Sequence, residues 1–89
     1  MCSNIIEKAE IEGSGKGTRG WFTLRGINVS YDHPFHAPYE HALNIDFVDE
    51  SAGPAARVAV ELSRESARRL AETILTALAR GDEYEASVA

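Results

Sequence analysis

Ala56-Arg57-Val58-Ala59-Val60-Glu61-Leu62-Ser63-Arg64-Glu65-Ser66-Ala67-Arg68-Arg69-Leu70-Ala71 changes its period in the middle. Up to Leu62 the residues alternate. Ala56, Val58, Val60 and Leu62 point one way; Arg57, Ala59 and Glu61 point the other, as in a strand with one buried face. Beyond Ser63 the apolar residues Ala67, Leu70, Ala71, Ile74 and Leu78 recur at helical spacing and form one stripe. The Ser63 hydroxyl is placed to accept from a free N–H of the first turn. Gly81 is placed to end the helix, which leaves residues 82–89 as a frayed acidic tail and 1–81 as one folded domain. A strand that hands over directly to an amphipathic helix, with no strand after it, predicts a sheet followed by a helix.

Working back from there, His41 to Asp49 is a second clean strand, with Leu43, Ile45 and Phe47 on one face and Asn44, Asp46 and Val48 on the other. Asp49 to Pro54 reads as the turn between the two strands. Trp21 to Tyr31 is a third strand, but its apolar phase slips. Phe22 and Leu24 share one face and Ile27, Val29 and Tyr31 the other, which predicts a β-bulge at Gly26. Asn4 to Glu12 is a less regular strand. Between these two, Gly13-Ser14-Gly15-Lys16-Gly17-Thr18-Arg19-Gly20 reads as a flexible hairpin loop. Its Gly15-Lys16 does not make a phosphate-binding loop, which needs glycine where Glu10 stands and Ser or Thr where Gly17 stands.

The short connections favour an antiparallel meander. The expected fold is therefore α+β: a four-stranded antiparallel β-meander followed by one C-terminal α-helix packed on one sheet face. The opposite face would carry Trp21, Thr23, Arg25, Asn28, Ser30, Asn44, Asp46, Arg57 and Glu61.

The 89 residues carry a net charge of −5, with acid spread along the chain. A nucleic-acid surface would need a basic patch, so that class is not expected. No apolar run approaches a membrane span and no signal peptide is visible, so a cytoplasmic, reduced protein is expected. Cys2 is the only cysteine, which excludes an internal disulfide.

All three histidines fall within Asp32-His33-Pro34-Phe35-His36-Ala37-Pro38-Tyr39-Glu40-His41. Neutral imidazoles are good ligands for divalent transition metals, zinc first. His33, His36 and His41 are the candidate metal ligands. Asp32, Glu40 and Asp46 could orient their rings, and Cys2 could add a thiolate. The metal-free alternative is a small polar ligand or acid–base work by the same histidines. The plain alternative is a stiff loop whose imidazoles only hydrogen-bond backbone. One helix cannot shield both faces of a four-stranded sheet, so a homo-oligomer, dimer or higher, is expected, burying the Trp21 face or a sheet edge. That open face could instead make the chain a non-catalytic structural or interaction module.

Several segments together resemble a known group: Glu12 to Gly17, Gly20-Trp21-Phe22, Asp32-His33-Pro34 with His36-Ala37-Pro38, Glu40-His41 with Leu43 to Phe47, and Ala56 to Leu62. They resemble a family of short uncharacterised bacterial proteins, a domain of unknown function. The resemblance extends to about Leu78 and implies no activity.

Overall fold

A computed structural model of the chain describes residues 4–89. Four strands, β1 (Ile5–Gly17), β2 (Gly20–Asp32), β3 (Ala42–Val48) and β4 (Arg57–Leu62), form one sheet in the order β1-β2-β3-β4, and the helix α1 (Arg64–Val88) follows. Every neighbouring pair is antiparallel, so the meander-plus-helix architecture is the one the alternation predicts.

The register assigns the faces. Ile27, Phe47 and Val58 form one cross-strand row; Val29, Ile45 and Val60 the next; Tyr31, Leu43 and Leu62 the third. These apolar rows share one face because side chains directly opposite in a ladder point the same way. The other face carries Ser30, Asn44 and Glu61, then Asn28, Asp46 and Ala59. Among apolar residues of the described chain only Ala42, Ile45 and Ala56 are buried.

Two readings of the sequence are corrected. The glycine-rich segment is strand, not loop: β1 runs through Gly17, and only Thr18 and Arg19 turn the hairpin, with Gly20 at φ +105°. Glycine here makes room for large neighbours. A Cβ at Gly15 would lie 3.0 Å from Leu24 Cδ2, and one at Gly17 would lie 3.2 Å from both Phe22 Cε1 and Ala55 O. The tip of the β1–β2 arm thus reaches the start of β4. The bulge is also displaced. Glu10 pairs with Gly26 and Gly13 with Leu24, so the extra residue lies in β1, where Ile11 and Glu12 together oppose Arg25. The irregularity lies beside Gly26, but β2 itself gains no residue, so its alternation runs on. Phe22 and Leu24 stay in the phase opposite to Ile27 and Val29, which leaves Trp21, Thr23 and Arg25 in phase with the apolar rows rather than with Asn28 and Ser30.

The turn after β3 is held by Asp49, whose Oδ1 accepts from the Ser51 hydroxyl at 2.6 Å and the Ser51 N–H at 3.1 Å. Arg25 Nε lies 3.4 Å from its other oxygen. The Ser51 hydroxyl first, with Arg25 assisting, lowers the Asp49 carboxyl below its ordinary value.

Ser63 caps the helix as expected, its Oγ accepting from Ser66 N at 3.2 Å. The helix then departs from expectation in two respects. It passes through Gly81 and ends at Val88, so residues 82–88 are helical rather than a frayed tail. Its cover of the sheet is confined to the start: Arg64, Ala67 and Arg68 border a hollow with Tyr31 and Leu43, Ala67 is half-buried, and every later helical residue is exposed. A helix of 25 residues spans about 37 Å, whereas the seven residues of β3 span about 23 Å. No helix among the described residues is long and apolar enough to cross a membrane.

Candidate functional site

The connection between β2 and β3 contains the histidines, and it crosses the end of the sheet from one face to the other. Both ends of it lie in register. His33 follows the Asp32–Ala42 pair on one strand and His41 precedes it on the other. The two imidazoles stack, with ring centroids 4.8 Å apart, and His41 stacks in turn on Tyr31 at 5.7 Å. Tyr31 belongs to the apolar face, so His33 and His41 sit at the edge of that face. The chain direction is set by short contacts. Asp32 Oδ1 accepts from His33 N at 2.7 Å, and His33 Nδ1 lies 2.8 Å from Glu40 O. A carbonyl only accepts, so Nδ1 of His33 carries the proton.

Between the two prolines the chain lies on the polar face instead. The Glu61 carboxylate of β4 accepts three consecutive backbone N–H groups: Phe35 at 2.6 Å, His36 at 3.0 Å and Ala37 at 2.8 Å. Pro34 and Pro38 supply no N–H of their own, so one carboxylate satisfies every donor from 35 to 37. These bonds, Ala37 first and Phe35 next, stabilise the ionised form and lower the Glu61 carboxyl below its ordinary value.

Beside this clamp is a cleft of about 550 Å³, lined by Phe35, His36, Ala37, Asn44, Asp46, Arg57, Ala59, Val60 and Glu61. That volume lies within the range of small-molecule sites. Arg57 Nε and Nη2 both donate to Asp46 Oδ1, at 2.8 and 2.7 Å. Asn44 donates long bonds from Nδ2 to Ser30 Oγ, Asp32 O and Ala42 O, each at 3.4–3.5 Å. Its Oδ1 is buried with no hydrogen-bond partner, and a buried acceptor of this kind carries a free-energy cost until a donor reaches it. A wider hollow of about 930 Å³ at the bulge brings Glu10 and Glu12 near Arg25 but holds no histidine.

The candidate residues are therefore divided. His33 and His41 lie at the apolar edge with the Glu40 carbonyl beside them; Asp32 shares the phase of Ser30 on the polar face, where His36 and Asp46 line the cleft. Among the described residues no three His, Cys, Asp or Glu side chains are placed to hold one metal ion. Cys2 lies outside the described residues. Glu61, Asn44 and Arg57 appear in the sequence only as outward residues of regular strands. The one pointer to Glu61 is indirect: three N–H groups bracketed by prolines need an acceptor, and Glu61 opposes Asn44 near the end of the sheet where the loop crosses.

The model of a family described as "Family of unknown function (DUF6295)" matches residues 1–87. No curated protein and no solved structure matches the chain.

Proposed function

The chain belongs to the DUF6295 family, a family of unknown function, and from its own geometry we propose that it is a small binding protein whose histidine loop and polar sheet face take up a small polar ligand. The observation that carries this reading is the Glu61 clamp. It fixes Phe35, His36 and Ala37 against the sheet, so the loop side of the cleft is ordered before anything binds, and little entropy remains to be lost. Asn44, whose enclosed Oδ1 lacks a partner, lines the cleft together with the Asp46–Arg57 carboxylate–guanidinium pair and His36. A ligand with an N–H or O–H donor suits Asn44, and one with an anionic or carbonyl group suits Arg57. NMR shifts of the Asn44 and Arg57 side chains on titration with a panel of hydroxy acids, amino acids and small amides test this. Saturable shifts in the cleft residues, lost in Asn44→Leu, support it. Shifts scattered over the surface, or identical in Asn44→Leu, refute it.

A divalent metal, zinc first, is a second reading favoured by one specific contact. Metal-bound histidines usually donate their other ring N–H to a carbonyl or carboxylate, which orients the ring, and His33 Nδ1 does so to Glu40 O. His41 lies stacked beside it. A third ligand would have to come from Cys2 or from a second copy of the chain. Catalysis by these groups, and a cytoplasmic setting, accord with the sequence and belong to the same proposal.

A further inference from the structure

The single chain exposes far more surface than its size requires. A compact monomer of 9.7 kDa has about 5,100 Å² of accessible surface, whereas this chain has 7131 Å². Its radius of gyration is 15.3 Å, against about 12 Å for a compact domain of this length. The excess, roughly 2,000 Å² per chain, falls within the area that each subunit of an obligate dimer covers. Exposed large apolar side chains on the helix contribute to it. The helical stripe begins at Ala67, beside Tyr31 and Leu43 of the apolar sheet face, and continues through Leu70, Ile74 and Leu78. Tyr84 and Val88 extend it past Gly81. Leu70, Ile74, Leu78 and Tyr84 are 39%, 50%, 58% and 64% exposed.

We propose that this stripe, together with the adjoining apolar sheet face, is the interface with a second copy of the chain, the two helices running antiparallel across a two-fold axis. Charge selects the copy and its direction. At 100° per residue Arg64, Arg68 and Asp82 lie on one flank of the stripe, and Glu85 lies within the stripe near its end. Antiparallel helices centred between Ile74 and Leu75 oppose residue 64 with 85 and residue 68 with 81 or 82. That one centre places Arg64 against Glu85 and Arg68 against Asp82 in both halves of the dimer. In a parallel pair residues of equal number lie at the same height, which would leave Arg64 and Arg68 about 20–30 Å along the axis from Asp82 and Glu85, with no acidic partner from that end of the helix. An isologous contact also covers both apolar surfaces at once, since each copy supplies both.

Sedimentation of the full chain at micromolar concentration tests the assembly. The wild type is expected to be a dimer and Ile74→Glu/Leu78→Glu a monomer with unchanged strand signal by circular dichroism, because both side chains are already half exposed in the single copy. A second pair of variants guards against simple misfolding. Arg64→Glu/Arg68→Glu and Asp82→Arg/Glu85→Arg each set like charges against one another and should dissociate at least tenfold more readily. Mixed in equal amounts they should form a heterodimer as tight as the wild type or tighter. A monomeric wild type overturns the proposal, and so does a dimer that survives Ile74→Glu/Leu78→Glu. A wild type that is monomeric yet sediments with anionic phospholipid vesicles would assign the stripe to a lipid surface. Charge-swapped chains that show no preference for each other would overturn the antiparallel arrangement.

Discussion

Gly17→Ala and Gly13→Ala are the same chemical change in the same strand, and the structure predicts opposite effects. Replacing glycine by alanine restricts the unfolded chain and stabilises by about 0.4–1 kcal/mol where the folded site accepts the methyl group. At Gly13 the added Cβ meets only Leu24 Cδ1 at 3.9 Å, an ordinary van der Waals contact. The gain should therefore appear in full. At Gly17 the Cβ would lie 3.2 Å from Ala55 O, 3.2 Å from Phe22 Cε1 and 3.5 Å from Arg57 O. The phenyl ring can swing aside, but the two carbonyl oxygens belong to the backbone at the start of β4. Forcing extra atoms into a packed site costs about 1–3 kcal/mol, which outweighs the entropic gain. The net expectation is about 1 kcal/mol of destabilisation at Gly17 and about 0.5–1 kcal/mol of stabilisation at Gly13. For a domain of this size the two variants should differ in melting temperature by roughly 6–16 °C. Thermal unfolding followed by far-ultraviolet circular dichroism, at one fixed protein concentration, measures this. A Gly17→Ala protein as stable as Gly13→Ala would show that the arm tip is not held against β4. It would also remove the support that this contact gives the backbone of Arg57, which lines the cleft.

Three further outcomes follow from individual contacts. In Glu61→Gln the amides of Phe35, His36 and Ala37 should exchange with solvent faster than in the wild type, while amides of the β3–β4 ladder stay protected; unchanged exchange would mean that the clamp does not order the loop. Because the folded Glu61 carboxyl is lowered, chiefly by the Ala37 and Phe35 N–H groups, its stabilising contribution is present above the ordinary glutamate range near about 4.3 and is lost as pH falls through the lower folded value. Urea midpoints of wild type and Glu61→Gln should accordingly differ at neutral pH and converge in acid, and parallel curves would refute the assignment. Gly81 lies inside the helix with nothing within 4 Å of its Cβ position, so Gly81→Ala should raise helix content and stabilise by up to about 1 kcal/mol, whereas a left-handed cap at that position would be destabilised by the same change.

The parts of the fold written as clean alternation were legible. Leu43, Ile45 and Phe47 pair in register with Leu62, Val60 and Val58, and no tertiary information was needed to place them on one face. The glycine-rich segment was not legible, because glycine reads as backbone freedom. Here its missing side chain matters more: Leu24 and Phe22 occupy the space over Gly15 and Gly17, a relation between two strands that one strand's pattern does not contain. Gly81 misled for a related reason. It has the composition of a helix end, but the stripe resumes at Tyr84 and Val88, and the helix continues with it. At the site, the histidine cluster drew attention to the β2–β3 connection, and spacing alone suggested that at least two of its three rings share one site with a carboxylate. Their division follows from the loop crossing the sheet end, and the crossing depends on Glu61, more than twenty residues away in sequence. Alternation places Glu61 on the outward face, but it says nothing of a loop that folds down onto it.

That division links assembly to function and separates the two binding readings. His33, His41 and Tyr31 lie at the apolar edge, near the start of the helix at Arg64 and Ala67. A second copy seated on the apolar face would therefore lie close to the histidine pair and could complete a metal site there. The cleft of Asn44, Asp46 and Arg57 lies on the opposite face of the sheet, which such a dimer leaves open to solvent. The two sites should respond differently when the dimer is broken. In Ile74→Glu/Leu78→Glu, zinc affinity measured by calorimetry should fall at least tenfold if the histidine pair relies on the partner, and His33→Ala/His41→Ala should remove the same heat in the wild type. Binding in the cleft should be unaffected by either change. Zinc affinity that survives loss of the dimer would place all its ligands within one chain. Cleft binding that disappears with the dimer would mean that the polar face, rather than the apolar one, is where the copies meet.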